Sequence, residues 1–336
     1  MKAIWLPLTT ALLVLLTVVP VHADEVRSTP SKEEVTKLRV EAEAGDTKAQ
    51  TALGNAYYTG DGVPKNHAEA VKWYREAAEH GNNDAEYDLA VSYHTGEGVE
   101  QDYTQAANWY LKAAEQGNTN AQYNLGLLYQ YGHGVLQDYK EAAKWYRKAA
   151  EARNAAARYA LGNLYYLGLG LPQDYGEAAR LEKQSAEQGN AMGEYSLGYL
   201  YAKGQGVLQD YTEAAKWYTK AAEQGNDGAQ FELGALYFNG LCGSKSDKDA
   251  AKWWRKAAEQ GNTAGQSSLG YLYAKGRGVE QSDDEAYFWL LLVPMFNNKE
   301  YIETFKQVSD NLAPERKAAV EKRVEEWNAS HTAARK

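Results

Sequence analysis

A leucine that recurs every 36 positions constrains this chain more than any other feature of its sequence. Leu53 and Leu89 stand 36 positions apart, and the same step leads without insertion or deletion to Leu269. Glycine follows in six of the seven copies, at Leu53-Gly54, Leu125-Gly126, Leu161-Gly162, Leu197-Gly198, Leu233-Gly234 and Leu269-Gly270. A repeat of this length is typical of stacked helix pairs, because one pair alone cannot bury its apolar face. The chain is therefore predicted to be all-α, an α/α solenoid of seven 36-residue helix-turn-helix repeats with capping helices.

The ends of both helices of a repeat carry recognisable signals. A Gly-Asn pair precedes the first helix, where glycine ends the preceding helix and asparagine caps the next. A Gly-x-Gly motif then reverses the chain, since a tight turn needs positive φ. The second helix opens with a predicted capping box in every copy, at Asn66 with Glu69, Asp102 with Gln105, Asp138 with Glu141, Asp174 with Glu177, Asp210 with Glu213, Ser246 with Asp249 and Ser282 with Glu285.

The two ends of the repeat array are predicted to be covered by capping helices, because a terminal repeat has no neighbour on one side. A capping box at Ser31 and Glu34 predicts an N-terminal capping helix over residues 32–45, ahead of seven repeats over 46–297. Ala313-Pro314-Glu315 opens a C-terminal helix with Val320, Val324 and Trp327 on one face, within capping helices predicted over 298–329. Residues 24–31 and 330–336 are predicted to be tails.

The first 23 residues have the pattern of a secretory signal peptide. Lys2 precedes an apolar run from Leu8 to Val19, and Val21-His22-Ala23 forms a cleavage site before Asp24. The run is shorter than the roughly 20 residues that span a bilayer, so the mature chain is predicted to have no membrane span. The protein is expected to be exported, with the periplasm favoured over the medium. Cys242 would then be a buried or free thiol, with an intermolecular bridge as the alternative.

Composition and motifs exclude several functions. A formal charge of −9 argues against nucleic acid as a partner, because phosphate binding relies on clustered Lys and Arg. Ser309-Asp310-Asn311 matches one penicillin-recognition motif, but no Ser-x-x-Lys accompanies it. The histidines show no metal-binding spacing. We therefore predict no catalytic residues, no cofactor and no metal site.

The repeat resembles the Sel1-like repeat, a relative of the tetratricopeptide repeat. The resemblance rests on Ala-x-x-x-Leu-Gly-x-x-Tyr, Gly-x-Gly-Val, Asp-Tyr-x-x-Ala-x-x-Trp-Tyr and Ala-Ala-Glu-Gln-Gly-Asn, which are seen in Ala121 to Gly134 and Asp210 to Asn226. It implies a right-handed superhelix with the first helices along the concave side, and a role as an adaptor. Copy four departs from the pattern at Arg153 and Leu181-Glu182, and copy six departs at Gly240-Leu241-Cys242-Gly243.

Two columns of the first helices form the candidate binding face. The "tyrosine column", two positions before the leucine, includes Tyr87, Tyr123, Tyr159, Tyr195 and Phe231, and the "second column", four positions later, includes Val91, Leu127, Asn163, Tyr199 and Tyr271. Rigid aromatic side chains suit an extended peptide or a glycan. The alternative is that the tyrosine column packs between adjacent repeats.

These observations favour a non-catalytic exported adaptor that holds a protein or an extended peptide in the concave groove. A glycan- or peptidoglycan-binding envelope module is the alternative, on the strength of the aromatic residues and the expected location. An envelope hydrolase is the third possibility, and it would need a cluster of acid, base or nucleophile that the linear sequence does not display.

Overall fold

The computed structural model of the chain describes residues 31–294 and 299–333. Within these ranges the chain forms 17 α-helices and no strand. The predicted signal peptide, residues 24–30 of the predicted N-terminal tail and residues 334–336 lie outside the described residues. The helices are α1 (Lys32–Glu43), α2 (Thr47–Thr59), α3 (His67–Glu79), α4 (Asn83–Thr95), α5 (Tyr103–Glu115), α6 (Thr119–Tyr131), α7 (Tyr139–Glu151), α8 (Ala155–Leu167), α9 (Tyr175–Ala186), α10 (Ala191–Lys203), α11 (Tyr211–Glu223), α12 (Asp227–Asn239), α13 (Asp247–Glu259), α14 (Thr263–Lys275), α15 (Asp283–Leu291), α16 (Lys299–Asn311) and α17 (Pro314–Ala333).

Helices α2 to α15 form the seven predicted pairs, so the prediction of an all-α chain of seven repeats is confirmed. We call the even-numbered member of each pair the A helix and the odd-numbered member the B helix. The described residues group into two compact units. Unit 1 runs to Ala157 and includes Leu169–Leu171, and unit 2 comprises Arg158–Gly168 and the residues from Pro172 onward.

The glycine after each leucine lets the two helices of a pair approach closely. A Cβ on Gly126 would lie 2.5 Å from Cε1 of Tyr146, and one on Gly198 would lie 2.7 Å from Cδ1 of Tyr218. Both tyrosines are fully buried on their B helices. Packing therefore explains the glycine in these repeats, because a Cβ would press against the aromatic ring of the B helix, and only copy two has a larger residue, Ala90, at this position.

The second glycine of the turn joins neighbouring repeats. Gly134 has φ 69°, and a Cβ on it would lie 2.2 Å from the backbone oxygen of Tyr103 at the start of the preceding B helix. Gly98, Gly206 and Gly278 make equivalent contacts. In copy six the turn ends at Gly243 instead, which has no atom within 4 Å of its Cβ position. Cys242 holds the position of the second glycine in this copy, and it packs against the same apolar cluster as Tyr211 at the start of the preceding B helix.

Only one of the two hydrogen bonds of each predicted capping box forms in the repeats. Each cap residue accepts a hydrogen bond from the third helical N–H, as Asp138 Oδ1 does from Glu141 at 3.1 Å. In the reciprocal half, the cap N–H was predicted to donate to the acid. The repeats replace that bond, because the Asp138 N–H donates to the Tyr129 carbonyl at 2.9 Å. The acid instead pairs along its own helix, as Glu141 does with Lys144. At Ser31 and Glu34 no A helix precedes the cap, and the complete box forms.

Buried glutamine amides connect four of the seven A helices to the helix that precedes them. Gln122 Nε2 donates to the Ala114 carbonyl at 3.1 Å, and Gln230 Nε2 donates to the Ala222 carbonyl at 3.0 Å. Gln50 and Gln266 repeat the contact. These bonds satisfy carbonyls that the end of a helix leaves unpaired.

The C-terminal helices cover the last repeat. Val320 is buried against α14 and α15, with Val324 and Trp327 packed beside it. The tail predicted from Ser330 is wrong at its start, because α17 continues to Ala333. The reason lies in His331, whose ring stacks on Trp327 and whose Nε2 lies 3.1 Å from the Glu259 carbonyl oxygen. No helix among the described residues is both long enough and apolar enough to cross a membrane.

Candidate binding face

The tyrosine column packs inside each repeat. The ring of Tyr123 lies 5.8 Å from that of Tyr146 on the partner B helix, and Tyr195 lies 5.8 Å from Tyr218. Tyr87 with Tyr110 and Phe231 with Trp254 repeat the arrangement. The same column also contacts the next repeat, since Asn124 Nδ2 donates to the Tyr87 hydroxyl at 3.4 Å. The column therefore has a structural role whether or not a partner binds.

Burial divides the ten predicted face residues into two groups. Tyr87, Val91, Leu127 and Tyr159 are buried, and Tyr87 is only 1% exposed. For these four the structure gives a packing role, since they offer a partner no surface. The half-buried group consists of Tyr123 in unit 1 and of Asn163, Tyr195, Tyr199, Phe231 and Tyr271 in unit 2. We call the last five the unit 2 face.

Three side chains follow one another along α10 in the unit 2 face. Tyr195, Tyr199 and Lys203 are spaced one helical turn apart. The Lys203 Nζ lies 5.6 Å from the ring centroid of Tyr199. On its other side Tyr199 meets Tyr166 edge-on, with the ring centroids 6.2 Å apart. Burial raises the pKa of Tyr195 and of Tyr199, so both hydroxyls stay protonated.

The neighbouring A helix places a carboxylate beside these rings. Gly228 at the start of α12 makes room for Tyr195, because a Cβ there would lie 3.4 Å from Cε2 and Cζ of that ring. Glu232 follows one turn later and is half-buried. Burial raises its pKa to about 7, although Lys203 opposes the shift. After burial, the charge of Glu232 is the largest influence on the pKa of both Tyr195 and Tyr218.

Sequence reasoning missed Glu232. Its position, one residue after the tyrosine column, reads Ala52, Asp88, Asn124, Ala160, Ser196, Glu232 and Ser268. That variation was the available signal, since an acid replaces small residues next to aromatic ones. In the second repeat, within unit 1, the same position holds the buried Asp88. Burial raises the pKa of Tyr74 and of Tyr87, and the charge of Asp88 raises both further.

The tryptophans of the B helices are covered by lysines. Trp145 and Trp217 are buried, and the Nζ atoms of Lys148 and Lys220 lie 4.1 Å and 4.0 Å from their ring centroids. Trp253 and Lys256 form the same pair. Trp145, Trp217 and Trp253 therefore offer little surface to a partner, whereas Trp73 and Trp109 of the same column are half-buried.

The strongly perturbed groups do not form an acid–base pair. Burial is the main cause of the shifted pKa of His94, of Glu182 and of Glu232, and none of the three acts on another. Within residues 31–294 and 299–333, no three His, Cys, Asp or Glu side chains gather as a metal ion would require. Cys242 is a free, half-buried thiol whose pKa is raised by burial, which makes it less reactive.

Comparison with known proteins gives a consistent result. Two solved structures match closely. One is the c5321 protein, a protective antigen of uropathogenic Escherichia coli strains with an SLR fold, at 34% identity, 89% coverage of this chain, 72% of that chain and a TM-score of 0.69. The other is a Sel1 repeat protein from Oxalobacter formigenes, at 33% identity and a TM-score of 0.68, and the match covers 82% of this chain and 80% of that chain. A search of curated proteins found no match.

The repeats themselves also match a family. Seven segments match the Sel1 repeat, at residues 47–82, 83–118, 119–154, 155–190, 191–226, 228–262 and 263–292. Their boundaries follow the A and B helices, and together they cover more than half of the chain. This chain belongs to the Sel1 repeat family.

Proposed function

We propose that this chain is a non-catalytic scaffold that binds a protein or an extended peptide on the unit 2 face. Sel1 repeat proteins are in general protein-interaction scaffolds. The observation that carries the proposal is that Tyr195, Tyr199, Phe231 and Tyr271 remain half-buried on successive A helices. Aromatic rings that are already held by packing lose little conformational entropy when a partner covers them.

The second column offers a test that spares the fold. Asn55 and Asn163 occupy this column in other repeats, so Tyr199→Asn and Tyr271→Asn introduce residues that the repeat already accommodates. Leu136→Asn and Leu208→Asn are the matched control, because these leucines are 91% and 90% exposed in turns. Both double variants remove two large side chains and leave the net charge unchanged.

The measurement is affinity capture from an envelope extract, followed by quantitative mass spectrometry and reconstitution with the purified partner. We expect one partner to be lost with the Tyr199→Asn, Tyr271→Asn variant and retained with the leucine variant. Circular dichroism should show equal helicity for all three proteins. Equal capture by the wild type and the tyrosine variant would contradict the proposal. Retention on isolated cell wall without a protein partner would favour the glycan-binding module.

We also propose that the protein is exported. The proposal is supported by Lys2, by the apolar run from Leu8 to Val19 and by Val21-His22-Ala23. N-terminal sequencing of the protein from a bacterial periplasmic fraction should begin at Asp24. Leu13→Arg with Leu15→Arg should keep the full-length chain in the cytoplasm, because charges disrupt the apolar region. Recovery of the unmodified chain from the cytoplasm with its N-terminus intact would contradict the proposal.

A further inference from the structure

The Glu232 carboxylate is half-buried and lacks a hydrogen-bond donor among the described residues. Within residues 31–294 and 299–333 it takes part in no hydrogen bond or salt bridge. A carboxylate that loses water without gaining a donor destabilises the fold. A carboxylate held in such a state is a candidate for a functional group.

The surroundings of Glu232 suit a cation. Tyr195 and Tyr199 stand on α10 across from it, and the ring face of an aromatic residue is negative. Lys203 already places its ammonium group 5.6 Å from the ring centroid of Tyr199, which shows that this ring accepts a positive charge. The charge of Lys203 does not offset the effect of burial on Glu232. The Glu232 carboxylate therefore has the charge of Lys203 nearby but gains no hydrogen-bond donor within the part of the chain that the structure describes.

We propose that Glu232, flanked by the rings of Tyr195 and Tyr199, binds the cationic side chain of an arginine or lysine in an extended peptide that lies on the unit 2 face. The inference rests on the proposed function and deepens it, because it assigns the chemistry of one partner residue. The carboxylate would accept hydrogen bonds from the cation, and the two rings would contact its aliphatic stem. Asp88, at the same position in unit 1, cannot serve in this way because it is buried.

The test uses short peptides as probes. We would titrate the full mature chain with acetyl-Ala-Ala-Arg-Ala-Ala-amide and with its citrulline counterpart, which has nearly the same shape but no charge, by calorimetry at pH 8 and low salt. The arginine peptide should bind at least about fivefold more tightly than the citrulline peptide. Glu232→Gln should abolish that preference. Glu223→Gln is the control with the same charge change, because Glu223 is exposed at the end of α11.

Binding should also depend on pH in a defined direction. The groups that face Glu232 are Tyr195, Tyr199 and Lys203 on α10 and Tyr218 on α11. The pKa of each tyrosine is raised and arginine does not titrate. Burial lowers the pKa of Lys203 from its ordinary value of 10.5 while the charge of Glu232 opposes that shift, so Glu232 is the group that changes charge nearest to neutrality. Because its pKa is about 7, affinity for the arginine peptide should rise about tenfold from pH 6 to pH 8.

Each outcome decides the inference. A charge preference that is lost only with Glu232→Gln supports it. Equal binding of the two peptides, failure of both to bind or a preference that survives Glu232→Gln would overturn it. The proposed function fails separately, since it would be contradicted by unchanged partner capture with Tyr199→Asn and Tyr271→Asn. Loss of capture in that variant with no effect of Glu232→Gln on the peptides would leave the scaffold proposal standing and remove only the cation site.

Discussion

The Glu182 carboxylate lies against Gly162, with Oε1 2.9 Å from the position that a Cβ of this glycine would occupy. Glu182 stands where other repeats have Tyr74, Tyr110, Tyr146 and Tyr218. It is 3% exposed, and its Oε2 has no hydrogen-bond partner. Burial therefore raises its pKa well above the ordinary value of 4.5.

Replacing this acid by the usual aromatic residue should stabilise the protein. Glu182→Tyr restores the ring that packs on glycine in other repeats, and we expect a gain of roughly 1–3 kcal/mol in unfolding free energy. The folded-state pKa is raised, so the wild type loses stability as the pH rises above 4.5 and the unfolded state ionises. Urea unfolding should therefore show a larger gain at pH 8 than at pH 4. The exposed Glu187→Tyr is the control, and equal effects of the two substitutions would contradict the prediction.

His94 should make unit 1 sensitive to acid. It is 3% exposed, neither ring nitrogen has a hydrogen-bond partner, and burial followed by the charge of His133 lowers its pKa from 6.5 to about 4. Because the pKa of His94 is lowered, its neutral side chain makes its full contribution to the unfolding free energy above pH 6.5. As the pH falls towards 4, the unfolding free energy should decrease by about 3 kcal/mol.

A glutamine should remove this sensitivity. The same position in the next repeat is Gln130, whose Oε1 accepts a hydrogen bond from Tyr146 at 2.7 Å. His94→Gln should flatten the pH dependence of unfolding between pH 4 and pH 6.5, and the exposed His80→Gln should leave it unchanged. Unfolding curves at several pH values measure both variants, and an unaltered pH dependence in His94→Gln would refute the assignment.

Two glycines with positive φ should respond differently to alanine. Gly117 has φ 91° and no atom within 4 Å of its Cβ position, so Gly117→Ala should cost only the backbone strain, about 1 kcal/mol. Gly134→Ala adds a collision with the Tyr103 backbone and should cost at least about 3 kcal/mol. Thermal unfolding of both variants checks this, and similar costs would show that the contact between repeats is unimportant.

Glu232→Gln should stabilise the protein above neutral pH. The folded-state pKa of Glu232 is raised from 4.5 to about 7. Its ionisation therefore does not lower the unfolding free energy below pH 4.5 and lowers it fully above pH 7. The gain at pH 8 is at most about 3 kcal/mol, with little change at pH 4. Urea unfolding at both values, with Glu223→Gln as control, tests this. A destabilised Glu232→Gln at pH 8 would mean that the carboxylate has a structural partner.

Sequence motifs predicted the helix boundaries within each repeat, but they did not predict all the hydrogen bonds between the helices. The spacing of Leu-Gly predicted the helix pairs, because a helix boundary depends on caps and turns within a few residues. Within the repeats the second half of the capping box was wrong, since the Asp138 N–H donates to the Tyr129 carbonyl of the preceding A helix. A local motif cannot reveal a competing acceptor on another helix.

The candidate face shows the same division between sequence and structure. The sequence identified the two columns of the A helices, because a strict repeat makes variable positions visible. Burial then removed Tyr87 and Tyr159 from the face and left Tyr195 and Tyr199, although all four belong to similar repeats. Exposure depends on the side chains that surround each ring in three dimensions.

The sequence by itself therefore determined the number of repeats, the position of each helix and the need for glycine in the turns, because these follow from short-range backbone geometry. The tertiary structure alone decided that Glu232 stands beside Tyr195 and Tyr199 without a hydrogen-bond donor in the described part of the chain, and that Glu182 is enclosed. Desolvation depends on how closely neighbouring helices pack, and the same residue type can be solvated in one repeat and enclosed in the next.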